Sequence, residues 1–313
     1  MTLPVVVEGL SRRYGALTAV DDLRFAVAPG ELFGIVGPDG AGKTTTLRML
    51  AGVLRPTAGD AHIGGVSVAR DPERVKLSLA YMSQRFGLYT DLTVQENLDF
   101  YADLYGVPPA ERPARYDRLY AFSGLGPFRD RLAGALSGGM KQKLGLSCAL
   151  VHHPAVLLLD EPTFGVDPIS RRDLWLIVHG MVADGMTVLV STAYLDEAER
   201  CDRIVLLHEG RAVVLDTPAR LQARLAGRLR SLRTDAPRRA REVLRAHPLV
   251  AQATLFGEAL HVRLATPETD WGAVRAALGT AGVAVHDDRP IEASLEDVFM
   301  ALTAPGTGAP ADA

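Results

Sequence analysis

The nine residues Gly37-Pro38-Asp39-Gly40-Ala41-Gly42-Lys43-Thr44-Thr45 fit G-x-x-x-x-G-K-[ST], a spacing that cradles phosphate. Glycines let backbone N–H groups approach an anion closely, Lys43 can reach the β- and γ-phosphates, and the Thr44 hydroxyl can ligate Mg²⁺. At ordinary residue frequencies the four fixed positions match by chance in ~1% of chains this long. Further on, Val156-Leu157-Leu158-Leu159-Asp160-Glu161 is four apolar residues closing on two carboxylates. At the C-terminal end of a buried strand, Asp160 is placed to hold Mg²⁺ and Glu161 to accept a proton from water.

The surrounding pattern supplies the elements those groups need. Glu31 to Val36 predicts a buried strand, and Thr45 to Leu50 opens a helix whose N-terminus adds partial positive charge at the glycine-rich turn. Pro4–Leu10 and Leu23–Val27 predict strands, with Ser11 to Gly15 turn-like between them; Leu79–Met82 predicts another strand. From about residue 86 to 150 the character turns helical. Thr93 and Glu96 form a capping box, and Arg115–Phe122 gives a second helix. Ser137 is a good N-cap for a helix running to His152, with Gly138 and Gly139 beside it leaving room for another chain's phosphate. Helices are predicted over Ser170–Met181 and Ala193–Arg200, a strand over Thr187–Ser191, and a hairpin around His208 to Arg211. Tyr14 reads either as a surface aromatic or as a platform for a nucleobase. His152 and His153 lack ligand partners at helical spacing, so a capping or solvated role is expected.

These motifs, over roughly residues 5–223, resemble the ATP-binding subunit of an ABC transporter. Six occur in the family's order. Tyr14 matches the adenine-stacking aromatic and Gly37–Thr45 the Walker A loop. Gln84 matches the Q-loop glutamine, which touches Mg²⁺ and the attacking water. Leu136 to Gln142 matches the signature, in the form LSGGMKQ; Val156–Glu161 matches Walker B with its catalytic Glu; Gly165-Val166-Asp167 matches the D-loop. The resemblance implies an α/β P-loop NTPase core with a helical subdomain and an antiparallel β-subdomain. It also implies ATP and Mg²⁺ as ligands, held between two such domains: one chain supplies Walker A and B, the other supplies the signature Ser137, Gly138 and Gly139.

Two departures stand out. The family's switch histidine is replaced by Ala193, whose methyl cannot hydrogen-bond a γ-phosphate; losing such a contact typically costs about 10²–10³ in rate. Phe164 stands where a small residue is usual. The stretches Gly37–Gly40, Leu125–Phe128 and Val166–Arg172 resemble the N-terminal half of fused two-ATPase subunits of ABC-2-type multidrug exporters, with the second ATPase half missing. The expectation is an ATPase subunit that pairs with a second, His-bearing ATP-binding subunit and docks on an ABC-2-type permease. Phe86 to Tyr89, with Asp91 to Thr93, resembles the surface receiving the permease's coupling helix.

Composition sets the outer bounds. With 313 residues and a formal net charge of −3, two domains are expected, and neither an overall basic field for nucleic acid nor a disordered composition is present. The two cysteines lack C-x-x-C spacing and predict a reduced interior. With no spanning run or signal core, attachment to the cytoplasmic face of the inner membrane is expected only through the permease. The expected plan is an ATP-binding domain over 1–218, a linker helix over 219–229, a small α+β domain over 230–303 and a disordered tail over 304–313. The small domain reads strand, helix (Arg238–Ala246), hairpin, helix and strand (Val283–His286), a ferredoxin-like order. The arginine-rich Arg220–Arg245 stretch reads as an amphipathic helix with solvated charges. Ile291 to Phe299 contains the SLEDVF segment common in drug- and lipid-exporter ATPases, to which residue types alone assign no chemistry. No lysine follows Lys143, which excludes a guanine-reading N-K-x-D motif after Asp160. A catalytically silent regulatory subunit and a soluble non-transport ABC ATPase are the rival readings.

Overall fold

The computed structural model describes residues 3–84 and 87–304, and they divide into two units, 1–215 and 216–313. Phe86, the first residue of the expected coupling surface, lies outside the described residues together with Arg85, as do positions 305–313 of the expected tail.

The first unit opens with two long strands, β1 (Val5–Tyr14) and β2 (Leu17–Val27), paired antiparallel. The stretch from Ser11 to Tyr14 is therefore strand, contrary to the expected turn. Register shifts between Glu8 and Arg13, with Gly9 at φ 67°, let the strand bend and continue pairing. Then follow β3 (Leu32–Val36), α1 (Lys43–Leu50), β4 (Ala58–Ile63), β5 (Val66–Ser67), α2 (Pro72–Lys76) and β6 (Leu79–Met82). The helical segment holds α3 (Val94–Leu104), α4 (Arg112–Ser123) and α5 (Gly138–Leu150). The Thr93–Glu96 capping box forms in both directions. Buried Asn97 binds the backbone at Tyr89, Leu92 and Thr93, which fixes the loop before α3.

The chain returns through β7 (Val156–Asp160), α6 (Pro168–Ala183), β8 (Thr187–Thr192), α7 (Leu195–Ala198), β9 (Arg203–His208) and β10 (Arg211–Asp216). The helix expected over Ala193–Arg200 is only four residues long, because side-chain bonds at Thr192 and Glu197 set the backbone there. Two sheets result: β2-β1-β4-β5, and a six-stranded sheet in the order β10-β9-β3-β8-β7-β6. In the larger sheet β9, β3, β8, β7 and β6 run parallel, and β3, β7 and β8 are buried along their whole length. Between the sheets a core of aliphatic residues gathers with α1, and Phe25 stacks on Phe33 with ring centroids 5.0 Å apart.

The second unit contains α8 (Pro218–Ala223), β11 (Leu229–Arg233), α9 (Pro237–Ala246), β12 (Val250–Phe256), β13 (Ala259–Leu264), α10 (Trp271–Thr280), β14 (Asp287–Pro290) and α11 (Leu295–Leu302). Its antiparallel sheet has the order β12-β13-β11-β14, the ferredoxin-like arrangement, over a core of its own. Three expectations are corrected. The helix expected over 219–229 stops at Ala223, and Gly227 turns at φ 70° into β11. The arginine-rich stretch is not one helix, since β11 interrupts it. The last strand is Asp287–Pro290 rather than Val283–His286. Gly282, at φ 69°, ends α10 and drops Val283 into the core as loop, and pairing with β11 begins only at Asp287.

Candidate functional site

Parallel pairing brings the chemistry-bearing residues to one edge. Val36 of β3 is level with Thr192 of β8, Asp160 of β7 with Ser191, and Met82 of β6 with Leu159. The 37–42 loop, Gln84 and Glu161 therefore leave the sheet at the same C-terminal edge. Gly42 precedes α1 at φ 103°, where a Cβ would lie 2.6 Å from the Ala19 carbonyl, so only glycine fits. The helix start has no side-chain cap, so its N–H groups remain available to an anion. Gly40 faces open space.

Lys43 is nearly fully buried. Its ammonium donates to the carbonyls of Gly37 (2.8 Å) and Pro38 (3.1 Å) and stands 3.1 Å from Glu161 Oε1. Gln84 Nε2 donates to Glu161 Oε2 at 2.9 Å, so both oxygens of that carboxylate are engaged. Glu161 has φ 48°, and its N–H donates to Ser191 Oγ at 3.0 Å and to the Ser191 carbonyl at 3.2 Å. A left-handed conformation in a non-glycine residue is held there by its surroundings.

Asp160 is buried behind it. Its Oδ1 accepts from Thr44 Oγ1 at 3.0 Å and from Ser191 Oγ at 2.8 Å; its Oδ2 accepts from Tyr81 at 3.1 Å. Three hydroxyl donors offset the desolvation of that carboxylate. Burial, and then the Asp160 charge, push the Tyr81 phenol well above its ordinary pKa, so it stays a donor. Thr44 and Asp160 make the hard-oxygen pair that suits Mg²⁺. Among the described residues no three or more His, Cys, Asp or Glu side chains cluster to hold a metal, which leaves Thr44, Asp160 and the Gln84 amide as the candidate protein ligands beside phosphate and water.

A cavity of about 500 Å³ opens over this group, lined by Tyr14, Lys43, Thr44, Thr45, Gln84 and Glu161 among others. Asp39, Gly40 and Gly42 also line it, whereas Gly37, Pro38 and Ala41 do not. Tyr14 is exposed at the rim, with the Arg12 guanidinium 4.6 Å from its ring centroid. Phe164, 55% exposed, lines the same cavity. Ala193 is exposed and follows Thr192, whose carbonyl accepts from the Gly37 N–H at 3.3 Å. A cleft of about 620 Å³ near α4 and the C-terminal ends of α5 and α6 contains none of the candidate site residues.

Ser137, Gly138 and Gly139 do not line the cavity. Ser137 caps α5 through the Met140 N–H at 3.3 Å, and Gly138 faces open space. Gly139 is closed in: a Cβ there would lie 2.1 Å from Ser170 Oγ of the same chain. Lys143 and Asp173, 2.7 Å apart, join the same two helices one turn further on. Sequence reasoning missed the roles of Tyr81, Ser191 and Glu197. Their contacts cross between strand ends and loops, and no local spacing marks them.

Residues 20–164 match the sequence profile of the family described as ABC transporter. The chain is 44% identical over 306 residues to the probable multidrug ABC transporter ATP-binding protein YbhF of Escherichia coli, covering 95% of this chain and 52% of that one. It thus spans about half the length of that relative. It is 38% identical over 317 residues to the daunorubicin/doxorubicin resistance ATP-binding protein DrrA of Streptomyces peucetius, covering 99% and 94% of the two chains. A solved structure of an ATP-binding subunit of an ABC transporter superposes with a TM-score of 0.65 at 34% identity, over 71% of this chain and 93% of that one. The chain belongs to the ABC transporter ATP-binding family.

Proposed function

We propose that this chain binds and hydrolyses ATP to drive export through an ABC-2-type membrane permease, as one half of an asymmetric ATPase pair. The observation that carries the reading is the convergence of Lys43, Thr44, Gln84 and Glu161 on one cavity at the sheet edge, with buried Asp160 hydrogen-bonded to Thr44 directly behind it. ATP enters with its phosphates against the 37–42 loop and the N-terminus of α1. Lys43 leaves Glu161 for the phosphate chain, and Glu161 then serves as base toward water, oriented by Gln84. Mg²⁺, held by Thr44, Gln84 and Asp160, would supply charge neutralisation at the phosphates. Tyr14 offers the surface for the adenine.

Ser137, Gly138 and Gly139 point to completion of a partner's site. Ala193 points to asymmetry, because this chain's own site has no side chain there to steady the attacking water. The same observation favours a second reading, an ATP-loaded subunit whose hydrolysis is weak and whose role is regulatory. The export assignment draws on relatives named for multidrug transport and drug resistance. No helix among the described residues is long and apolar enough to cross a membrane, which fits attachment through the permease. The loop around Leu88 and Tyr89, pinned by Asn97, is the proposed coupling surface. The proposed division places ATP binding in 1–218 and a separate α+β unit in 230–303, with 219–229 linking them.

The test is steady-state ATP hydrolysis by the purified chain, wild type against Ala193→His and Glu161→Gln. A slow wild type, a gain of at least tenfold with histidine and loss with Glu161→Gln support the asymmetric pair. A fast wild type that only Glu161→Gln stops would overturn the asymmetry.

A further inference from the structure

Glu197 on α7 has a side chain only 1% exposed and lines no part of the ATP-facing cavity. A carboxylate that is buried needs partners, and its partners lie on separate segments. Oε1 accepts from Thr163 Oγ1 at 2.7 Å and stands 3.0 Å from Arg171 Nε at the start of α6. Oε2 accepts from Thr192 Oγ1 at 2.8 Å. Thr163 comes two residues after Glu161, and Thr192 immediately precedes Ala193.

Both flanks of Ala193 are therefore fixed. Thr192 Oγ1 accepts from the Tyr194 N–H at 3.0 Å, and the Arg171 guanidinium lies 4.4 Å from the Tyr194 ring centroid. Thr192 also touches the phosphate loop through its carbonyl and the Gly37 N–H. One carboxylate thus joins the segment after the proposed base, the segment bearing residue 193 and the head of α6. None of these contacts uses the side chain at position 193.

We infer that Glu197 is a positioning residue that locks the 192–194 loop to the 161–166 loop, so that the two respond to ATP as one body. The lock sets the geometry of residue 193 whatever side chain it carries, which is why a histidine placed there would arrive already aimed. Only the kinetic part of the test rests on the ATP-hydrolysis reading.

The decisive variants are Thr163→Val, which removes one arm alone, and Thr192→Val, which removes the other together with the acceptor for the Tyr194 N–H; both leave the Glu197–Arg171 pair in place, and the loop opposite each substitution is the one that decides. Hydrogen exchange on the full chain is expected to quicken at least fivefold in both loops for either variant. Acceleration confined to the loop that carries the substitution overturns the lock, with no reference to hydrolysis. In the kinetic arm, a gain of at least tenfold from Ala193→His should shrink below twofold when Thr192→Val is added, with the KM for ATP within twofold. An undiminished gain overturns the positioning role. If no variant hydrolyses ATP, the hydrolysis reading falls and the exchange pattern still decides the lock.

Discussion

The Lys43 ammonium lies 3.1 Å from the Glu161 carboxylate while donating to the carbonyls of Gly37 and Pro38 in its own loop. The cation meant for phosphate and the carboxylate meant for water thus satisfy one another. ATP must separate them, and the lysine exchanges one buried anionic partner for another.

The first prediction follows from that pair. Glu161→Gln removes the base and also frees Lys43 from its counter-charge. Hydrolysis should fall by about 10²–10⁴, while ATP affinity, titrated with a fluorescent nucleotide analogue, should stay within twofold or tighten. Lys43→Ala should instead weaken binding. Equal weakening by both substitutions would show that Glu161 supports binding rather than restraining it.

The second prediction concerns Gly139 and Ser170. A Cβ at 139 would lie 2.1 Å from Ser170 Oγ and 2.3 Å from Ser170 Cβ, so α5 and α6 must separate or Ser170 must move. Overpacking of this kind costs about 1–3 kcal/mol. Gly139→Ala should lower the melting temperature of the chain, and adding Ser170→Gly should restore most of the loss. No recovery in the double variant would mean that the strain lies elsewhere.

How much of this could be read from the sequence differs between the two kinds of contact. Local spacing carries the phosphate loop, the Thr93–Glu96 capping box and the Asp160–Glu161 strand end, because a turn, a cap and a buried strand each have a local signature. Parallel pairing then brings strand ends together in a way that only the topology specifies. Tyr81 and Ser191 meet Asp160 from β6 and β8, 79 and 31 residues away in sequence. Val283 to His286 alternates like a strand, yet Gly282 turns Val283 into the core and pairing begins only at Asp287. The closeness of Gly139 to Ser170 is equally invisible to a reading that treats Gly138-Gly139 as one motif.

The third prediction is a pH dependence at the base of the helical segment. His152 Nε2 donates to the Leu79 carbonyl at 3.2 Å, its ring stacks on Tyr105 at 3.9 Å, and its buried Nδ1 has no partner. Burial above all, with Arg115 and His153 nearby, lowers its pKa below the ordinary value. A base whose pKa is depressed by folding gives stability that is complete above its unfolded pKa of about 6.5 and is lost as pH falls through the folded value. Thermal stability should therefore decline on acidification below pH 6.5. His152→Gln should flatten that slope. A slope unchanged by the substitution would assign it to other groups.

The fourth prediction gives the SLEDVF segment a physical role inside the C-terminal unit. Ser294 and Asp297 form a capping box at the start of α11: Ser294 Oγ accepts from the Asp297 N–H at 3.2 Å, and Asp297 Oδ2 accepts from the Ser294 N–H at 3.0 Å. The other oxygen, Oδ1, accepts from His261 Nδ1 on β13 at 2.7 Å, and Phe256 stacks on that imidazole with centroids 4.2 Å apart. One aspartate therefore starts the helix and pins it to the sheet. Asp297→Ala loses a cap and a hydrogen bond and leaves His261 facing a gap, a cost of about 2–4 kcal/mol. Trp271, the tryptophan of this unit, reports its unfolding once Trp175→Phe silences the other. A denaturant series should show the loss in Asp297→Ala, much less of it on a His261→Ala background, and ATP affinity within twofold throughout. If the two substitutions are additive, the pin fails and only the cap remains.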